Sequence, residues 1–245
     1  MSELLEQQMR QLKLGGMAKE WRSIEFHDVE QYVGELLKLE LHEREVNRIN
    51  RMVKSAGFHV LKTLDDFVWS NSIELPVGLT QDYMTDLSFL NAKENLIFMG
   101  TVGTGKTHLA TAIALKACQE GRRVRFFTAA SLANMLLEKN NKGTLNSYLA
   151  SMKKTELIVI DEVGFVPLHK ESAELLFQVI SDCYERRSLI ITSNLEFSQW
   201  NTVFGDNRLT AALIDRLIHH SPIVIFSGES YRLTQSMRRQ RTARG

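Results

Sequence analysis

The chain has 245 residues, 44% hydrophobic and 24% charged, with 30 Lys+Arg against 29 Asp+Glu and a net charge of +1. This composition suits a folded chain with a sizeable core and argues against disordered, collagenous or disulfide-scaffold proteins. The near-neutral total also rules out a polycation, so any nucleic-acid contact must come from local patches.

Cys118 and Cys183 are the only cysteines, which gives no disulfide framework and points to a reducing compartment. The opening MSELLEQQMRQLKLGG is charged throughout and lacks the apolar centre of a signal peptide. No apolar run reaches the ~18 residues of a membrane span. The expected address is cytoplasmic, without a membrane partner.

In chain order, a short first helix is expected to end at Gly15 and Gly16. Asp28 with Gln31 resembles a capping box for a helix running to about Ala56. On a helical wheel, Leu39, Val46, Ile49 and Val53 fall within an arc of about 80°. Arg44, Arg48, Arg51 and Lys54 fall within about 120° on the opposite side, with Glu40 placed to pair with Arg44 across one turn. That stripe reads equally as a solvated face or as a phosphate-tracking one. The polar stretch Ser70–Gly78 carries one of three prolines and marks a boundary.

Beyond it, apolar runs at 95–99, 124–127, 157–160, 189–192 and 223–226 alternate with helical patterns near 106–120, 131–153, 171–186 and 208–219. Runs apolar throughout indicate strands covered on both faces, hence a parallel sheet of α/β type with its ligand at the strand C-terminal ends.

Three motifs sit at those ends. Gly100-Thr101-Val102-Gly103-Thr104-Gly105-Lys106-Thr107 matches GxxxxGK[ST] in full, between a strand and a helix, with His108 following. Its glycines let backbone amides approach phosphate oxygens, Lys106 reaches the outer phosphates, and Thr107 can ligate magnesium. A chance match in this length is about one in a hundred, so the loop reads as a nucleotide site. Second, LIVI ends in Asp161 and Glu162: the first can hold Mg2+ through its water shell, and the second can polarise an attacking water. Third, IITS leads to Asn194, placed to orient that water.

With these three elements in this order, the chain resembles the AAA+ ATPases. It is most similar to the helicase-loader clade, and within it to the IstB-type helper ATPases of insertion sequences. GTVGTGKTHLA, LIVIDEVGFVPL, YERRSLIITSN, LIDRLIHH, RINRMVKSAGF and LKTLDDF carry the likeness. The resemblance implies a five-stranded parallel P-loop core without a C-terminal lid, since only residues 228–245 follow the last strand, preceded by a small helical domain. The implied division is 1–70 for DNA or partner binding and self-assembly, 71–94 as linker, 95–232 as ATPase core and 233–245 as basic tail.

Arg216 then falls at the arginine finger that completes a neighbouring subunit's site, and Arg232 at a second nucleotide-sensing arginine, or equally within the basic tail. The resemblance further implies homo-oligomers sharing ATP sites, assembly on duplex DNA and help to a cognate transposase. It also turns the helical insertion, with Lys139 and Lys142 at its turn, toward DNA. Two rivals stand beside this: a helicase loader acting on single strands, and a scaffold that binds ATP without hydrolysing it.

Other features carry less. His219-His220 lack the spacing of a metal site, and Cys118 and Cys183 sit in core-like patterns. No base-reading motif is present, so binding to the DNA backbone is expected. The +1 total conceals segregation: between Glu156 and Glu185 seven acids face the single Lys170, while the tail holds Arg232, Arg238, Arg239, Arg241 and Arg244 with no acid among them.

Overall fold

In the computed structural model, residues 2–219 and 221–231 are described. The first helix, α1 (Ser2–Gln11), stops at Lys13, which lies in the left-handed region at φ 58°. Gly15 and Gly16, expected to end α1, instead open α2 (Gly15–Glu20). For Gly16 the reason is close approach. A Cβ on Gly16 would stand 2.6 Å from the Leu39 carbonyl oxygen and 3.0 Å from the Glu40 Cα of α3 (Val29–Ala56).

The Gly16 amide donates to Glu40 Oε2 at 2.9 Å, and Arg44 Nε donates to Oε1 of the same carboxylate at 2.7 Å. Burial by itself would raise the Glu40 pKa. The donors from Arg44, Gly16 and Met17 outweigh it and hold the group below the usual carboxylate range. At the start of α3, Asp28 Oδ1 accepts the Gln31 amide at 2.8 Å, while Gln31 Oε1 accepts the His27 amide at 2.9 Å. The expected capping box forms, with its return bond one residue further out.

Contacts group the chain into Met1–Met52 and Val53–Gly245. Residues 53–70, which the sequence places with the N-terminal helices, pack within the second unit. Arg125 donates to the Ser55 carbonyl at 2.5 Å, and the Phe58 and Phe126 rings lie 5.6 Å apart.

The second unit continues with β1 (Ile73–Glu74), α4 (Gln81–Thr85), α5 (Ser88–Ala92), β2 (Leu96–Gly100), α6 (Lys106–Gln119) and β3 (Val124–Thr128). Next come α7 (Ala129–Asn141), α8 (Leu145–Met152), β4 (Leu157–Val163), α9 (Lys170–Cys183) and β5 (Ser188–Ser193). A 3-10 turn (Phe197–Gln199), α10 (Asn201–Phe204), α11 (Asn207–Ile218) and β6 (Ile223–Phe226) complete it.

The strands form one sheet in the order β1-β6-β2-β5-β4-β3. The five expected strands are present and mutually parallel. The sheet is nonetheless mixed and six-stranded, which corrects the five-stranded expectation. β1 arises inside the stretch read as a boundary and pairs antiparallel with β6, Ile73 opposite Phe226 and Glu74 opposite Ile225. A two-residue strand is too short to show periodicity, yet it covers backbone groups that the edge of β6 would otherwise leave open.

Leu96, Ile97, Phe98, Ile158, Val159, Ile160, Ile190 and Ile191 are fully buried, as strands between two helical layers must be. Trp200, Phe204, Leu213 and Leu217 add to the core on one side, and burial pushes both cysteine thiols up to about 11, leaving them inert. Leaving β2, the chain crosses to the far side of β5 and returns to β6 on the other flank. The crevice therefore opens where the strand order reverses, at the C-terminal ends of β2, β5 and β4.

The α2–α3 contact predicts that Gly16→Ala destabilises the N-terminal helices by about 1–3 kcal/mol through overpacking. Faster amide exchange in α2 and α3 is the measurement. An unchanged exchange pattern would contradict the close-approach account.

Candidate functional site

β2 ends at Gly100, whose φ of 140° and position against β6 admit no side chain: a Cβ would lie 2.0 Å from the Phe226 carbonyl oxygen. The loop then turns through Gly103 and Gly105, at φ 85° and 106°, conformations that glycine adopts without steric cost. Thr104 Oγ1 donates to the Thr101 carbonyl at 2.8 Å and closes the turn. Lys106 Nζ donates to the Gly100 and Thr101 carbonyls at 2.7 and 2.6 Å, which holds the ammonium in the mouth of the loop. Behind it α6 presents the positive end of its backbone dipole.

Asp161 lies beside this loop, 3% exposed. Its Oδ1 accepts Thr107 Oγ1 at 2.9 Å and also accepts Thr192 Oγ1 from β5. Thr192 in turn accepts the Glu162 amide at 3.0 Å. A bulge explains this geometry. Ile160 is opposite Ile191 and Val163 opposite Ser193, so Asp161 and Glu162 together face Thr192 alone. At the bulge Glu162 adopts φ 60°, a left-handed conformation that costs a non-glycine residue about 1–2 kcal/mol, and the residue is exposed. In a regular strand, adjacent acids would point to opposite faces.

Asn194 follows β5 and is half-buried; its Oδ1 would lie 3.4 Å from a Cβ on Gly164, just past Glu162. Ser193 Oγ donates to the Val163 carbonyl at 2.7 Å and fixes the ends of β4 and β5 together. The fold thus gathers Lys106, Thr107, Asp161, Glu162 and Asn194 at one crevice. Thr107 Oγ1 and Asp161 Oδ1 are hard oxygen donors in contact, a pairing that suits Mg2+. Among the described residues no cluster of three or more His, Cys, Asp or Glu gathers, so the protein groups that would hold a divalent ion here are Thr107 and Asp161.

Two segments beside the loop, and Thr192 behind it, escaped the sequence reading. The His108 ring is turned to the segment before β1, its Nε2 3.1 Å from the Thr63 carbonyl and its ring centroid 5.3 Å from that of Phe67. Phe67 also stacks edge-on against Trp69 and comes within 3.3 Å of where a Gly105 Cβ would be. After β6, the Tyr231 amide donates to the Gly103 carbonyl at 3.0 Å, and Thr101 Oγ1 donates to the Gly228 carbonyl at 3.2 Å. Ser230 leaves no room for a side chain on Gly103. Aromatic residues in LKTLDDFVW were the available signal for the first group; Thr192 gave none.

Other candidates lie apart. Arg216 is exposed on α11 with its guanidinium 5.3 Å above the Phe177 ring, and with Tyr184 and Arg186 it lines a concavity beside α9. Arg44 and Arg48 are ion-paired with Glu40 and Glu45 at 2.7 and 2.6 Å, whereas Arg51 donates to the Asn47 carbonyl and Lys54 is exposed. Lys142 is paired with Glu138 at 2.5 Å, and Lys139 is half-buried. His219 Nδ1 meets the Tyr184 hydroxyl at 3.1 Å. Arg232, the remaining tail arginines and His220 lie outside the described residues.

Comparison with known proteins gives a consistent result. The family described as "IstB-like ATP binding protein" matches residues 7–239. A protein of insertion sequence IS5376 from Geobacillus stearothermophilus, named for ATP binding, is 35% identical over 96% of this chain and 96% of its own length. A counterpart from insertion sequence IS232 of Bacillus thuringiensis subsp. berliner is 37% identical over 82% of each. Among solved structures, AMPPCP-bound DnaA from Aquifex aeolicus superposes with a TM-score of 0.54 at 25% identity, covering 69% of this chain and 51% of that one. The DnaC helicase loader superposes at 0.53 and 20% identity over 72% of this chain and 99% of its own, a likeness of fold alone.

Since Lys106 supplies the cation at the loop mouth, Lys106→Ala is expected to weaken ATP binding by at least about 10-fold. Titration with a fluorescent ATP analogue measures this, and unaltered affinity would contradict the role.

Proposed function

This chain belongs to the family of IstB-like ATP-binding proteins, with an AAA+ fold like that of DnaA and DnaC, and we propose that it hydrolyses ATP to assist a transposase on DNA. The observation that carries the reading is the meeting of a full phosphate loop, a magnesium-type carboxylate, an exposed glutamate and an asparagine at the ends of β2, β4 and β5.

In this reading the loop amides and Lys106 hold the β- and γ-phosphates, and Thr107 and Asp161 hold Mg2+. The metal, when bound, neutralises charge across those phosphates. The Glu162 carboxylate accepts the proton of the attacking water, which Asn194 orients toward the γ-phosphorus. Bond making and breaking stay in line, so the chain's task is positioning and charge stabilisation. Arg216, exposed and stacked over Phe177 of α9, would serve the site of another subunit. Its planar cation would there stabilise charge on the transferring phosphoryl group.

The partners follow from the family. Relatives named for insertion sequences support a cognate transposase, and duplex DNA would be held through its backbone. Arg44, Arg48, Arg51, Lys54, Lys139 and Lys142 are the proposed contacts. Two ion pairs thin the α3 stripe, so each copy binds DNA weakly and ATP-driven alignment of several copies supplies the affinity. Arg232 would sense nucleotide from the segment after β6. Among the described residues no helix is long and apolar enough to cross a membrane, and a cytoplasmic setting suits a transposition helper.

Glu162→Gln is expected to keep ATP affinity within about 3-fold while lowering phosphate release at least about 100-fold. Turnover unchanged in that variant would exclude the hydrolytic role and favour a scaffold. Arg216→Ala is expected to be inactive alone and to regain part of the activity when mixed with Lys106→Ala chains. No recovery at any ratio would contradict sharing of the site between copies.

A further inference from the structure

We propose that Thr192 is a positioning residue for hydrolysis, its one hydroxyl setting both the Asp161 carboxylate and the Glu162 backbone. The inference rests on the hydrolytic reading and extends it to Thr192, a strand residue of the third motif to which the sequence assigned no role.

The geometry leaves Thr192 in a singular place. It is the one residue of β5 opposite the two-residue bulge of β4, and it is 1% exposed. Its Oγ1 donates to Asp161 Oδ1 and accepts the Glu162 amide at 3.0 Å. Both functions of a hydroxyl, one proton to give and lone pairs to receive, are thereby used. Thr107 Oγ1 donates to the same Asp161 oxygen at 2.9 Å, so a continuous chain runs from phosphate loop to carboxylate to β5 to the glutamate backbone.

Two consequences follow. First, two hydroxyl donors on Oδ1 restrict rotation of the buried carboxylate, which fixes the direction it offers a metal ion. Second, the Glu162 amide sits at the bulge and donates to Thr192 Oγ1, and its φ of 60° is disfavoured. The bond to Thr192 anchors that conformation and hence the direction in which the glutamate side chain leaves the strand. Thr192 touches neither nucleotide nor water in this scheme; it acts through its two neighbours.

Serine preserves the hydroxyl, while valine keeps the branched shape and removes both bonds. Thr192→Val is expected to lower kcat at least about 10-fold with KM within about 3-fold, whereas Thr192→Ser stays within about 3-fold of the parent chain. Two readouts do not depend on turnover. In Thr192→Val the Glu162 amide exchanges with solvent at least about 10-fold faster in nucleotide-free protein, and a higher Mg2+ concentration is needed for half-maximal binding of a fluorescent ATP analogue. Thr192→Ala serves where the valine variant does not fold.

Turnover, exchange and Mg2+ dependence all unchanged on loss of the hydroxyl would overturn the proposal. So would a serine variant as impaired as the valine one, or lost stability accompanied by a proportional loss of ATP affinity. A parent chain without turnover would instead remove the hydrolytic reading, leaving amide exchange and Mg2+ dependence to decide whether Thr192 sets the two acids.

Discussion

A carboxylate that is 3% exposed is tolerated only where donors replace the water it has lost, and Asp161 is that carboxylate here. Thr107 reaches it from the start of α6 and Thr192 from β5, so one oxygen joins the phosphate loop, the acidic strand and its neighbour. The strand order is what makes this possible. β5 lies between β2 and β4, bringing elements far apart in sequence to adjacent strand ends. Without that order, the phosphate loop would face no acid.

Glycine acts here mainly through close approach. Gly100 lies against the β6 backbone, Gly103 against Ser230, and Gly16 against the backbone of α3. At each, the missing Cβ lets two segments meet, and at the first two the left-handed φ excludes other residues as well. The phosphate loop is consequently held from both sides, by the Thr63–Trp69 segment near α6 and by the residues after β6.

The signals legible in the sequence were local ones. Fully buried strands announced themselves as unbroken apolar runs, and α3 by Asp28 and Gln31. The three chemical motifs appeared because their residues are consecutive. What stayed hidden depends on pairing between distant segments. β1 is two residues long and exists because β6 offers an edge. Gly16 looks like a helix stop until the Leu39 carbonyl lies opposite it. Thr192 is an ordinary strand residue until the bulge sets two acids against it, and the bulge itself leaves no mark in LIVIDEV. Charge shows the limit in part: the Glu40–Arg44 pair is legible from its spacing, whereas the pairing of Arg48 with Glu45 was not read from the wheel.

The central claim is that this site hydrolyses ATP and is completed by Arg216 of a second copy. Phosphate release per chain, measured at saturating MgATP across a wide range of protein concentration, tests it most directly. The account predicts a per-chain rate that rises with concentration and then levels off as neighbouring copies complete one another's sites. A rate independent of concentration would contradict the shared site, and absence of magnesium-dependent release at every concentration would contradict hydrolysis itself.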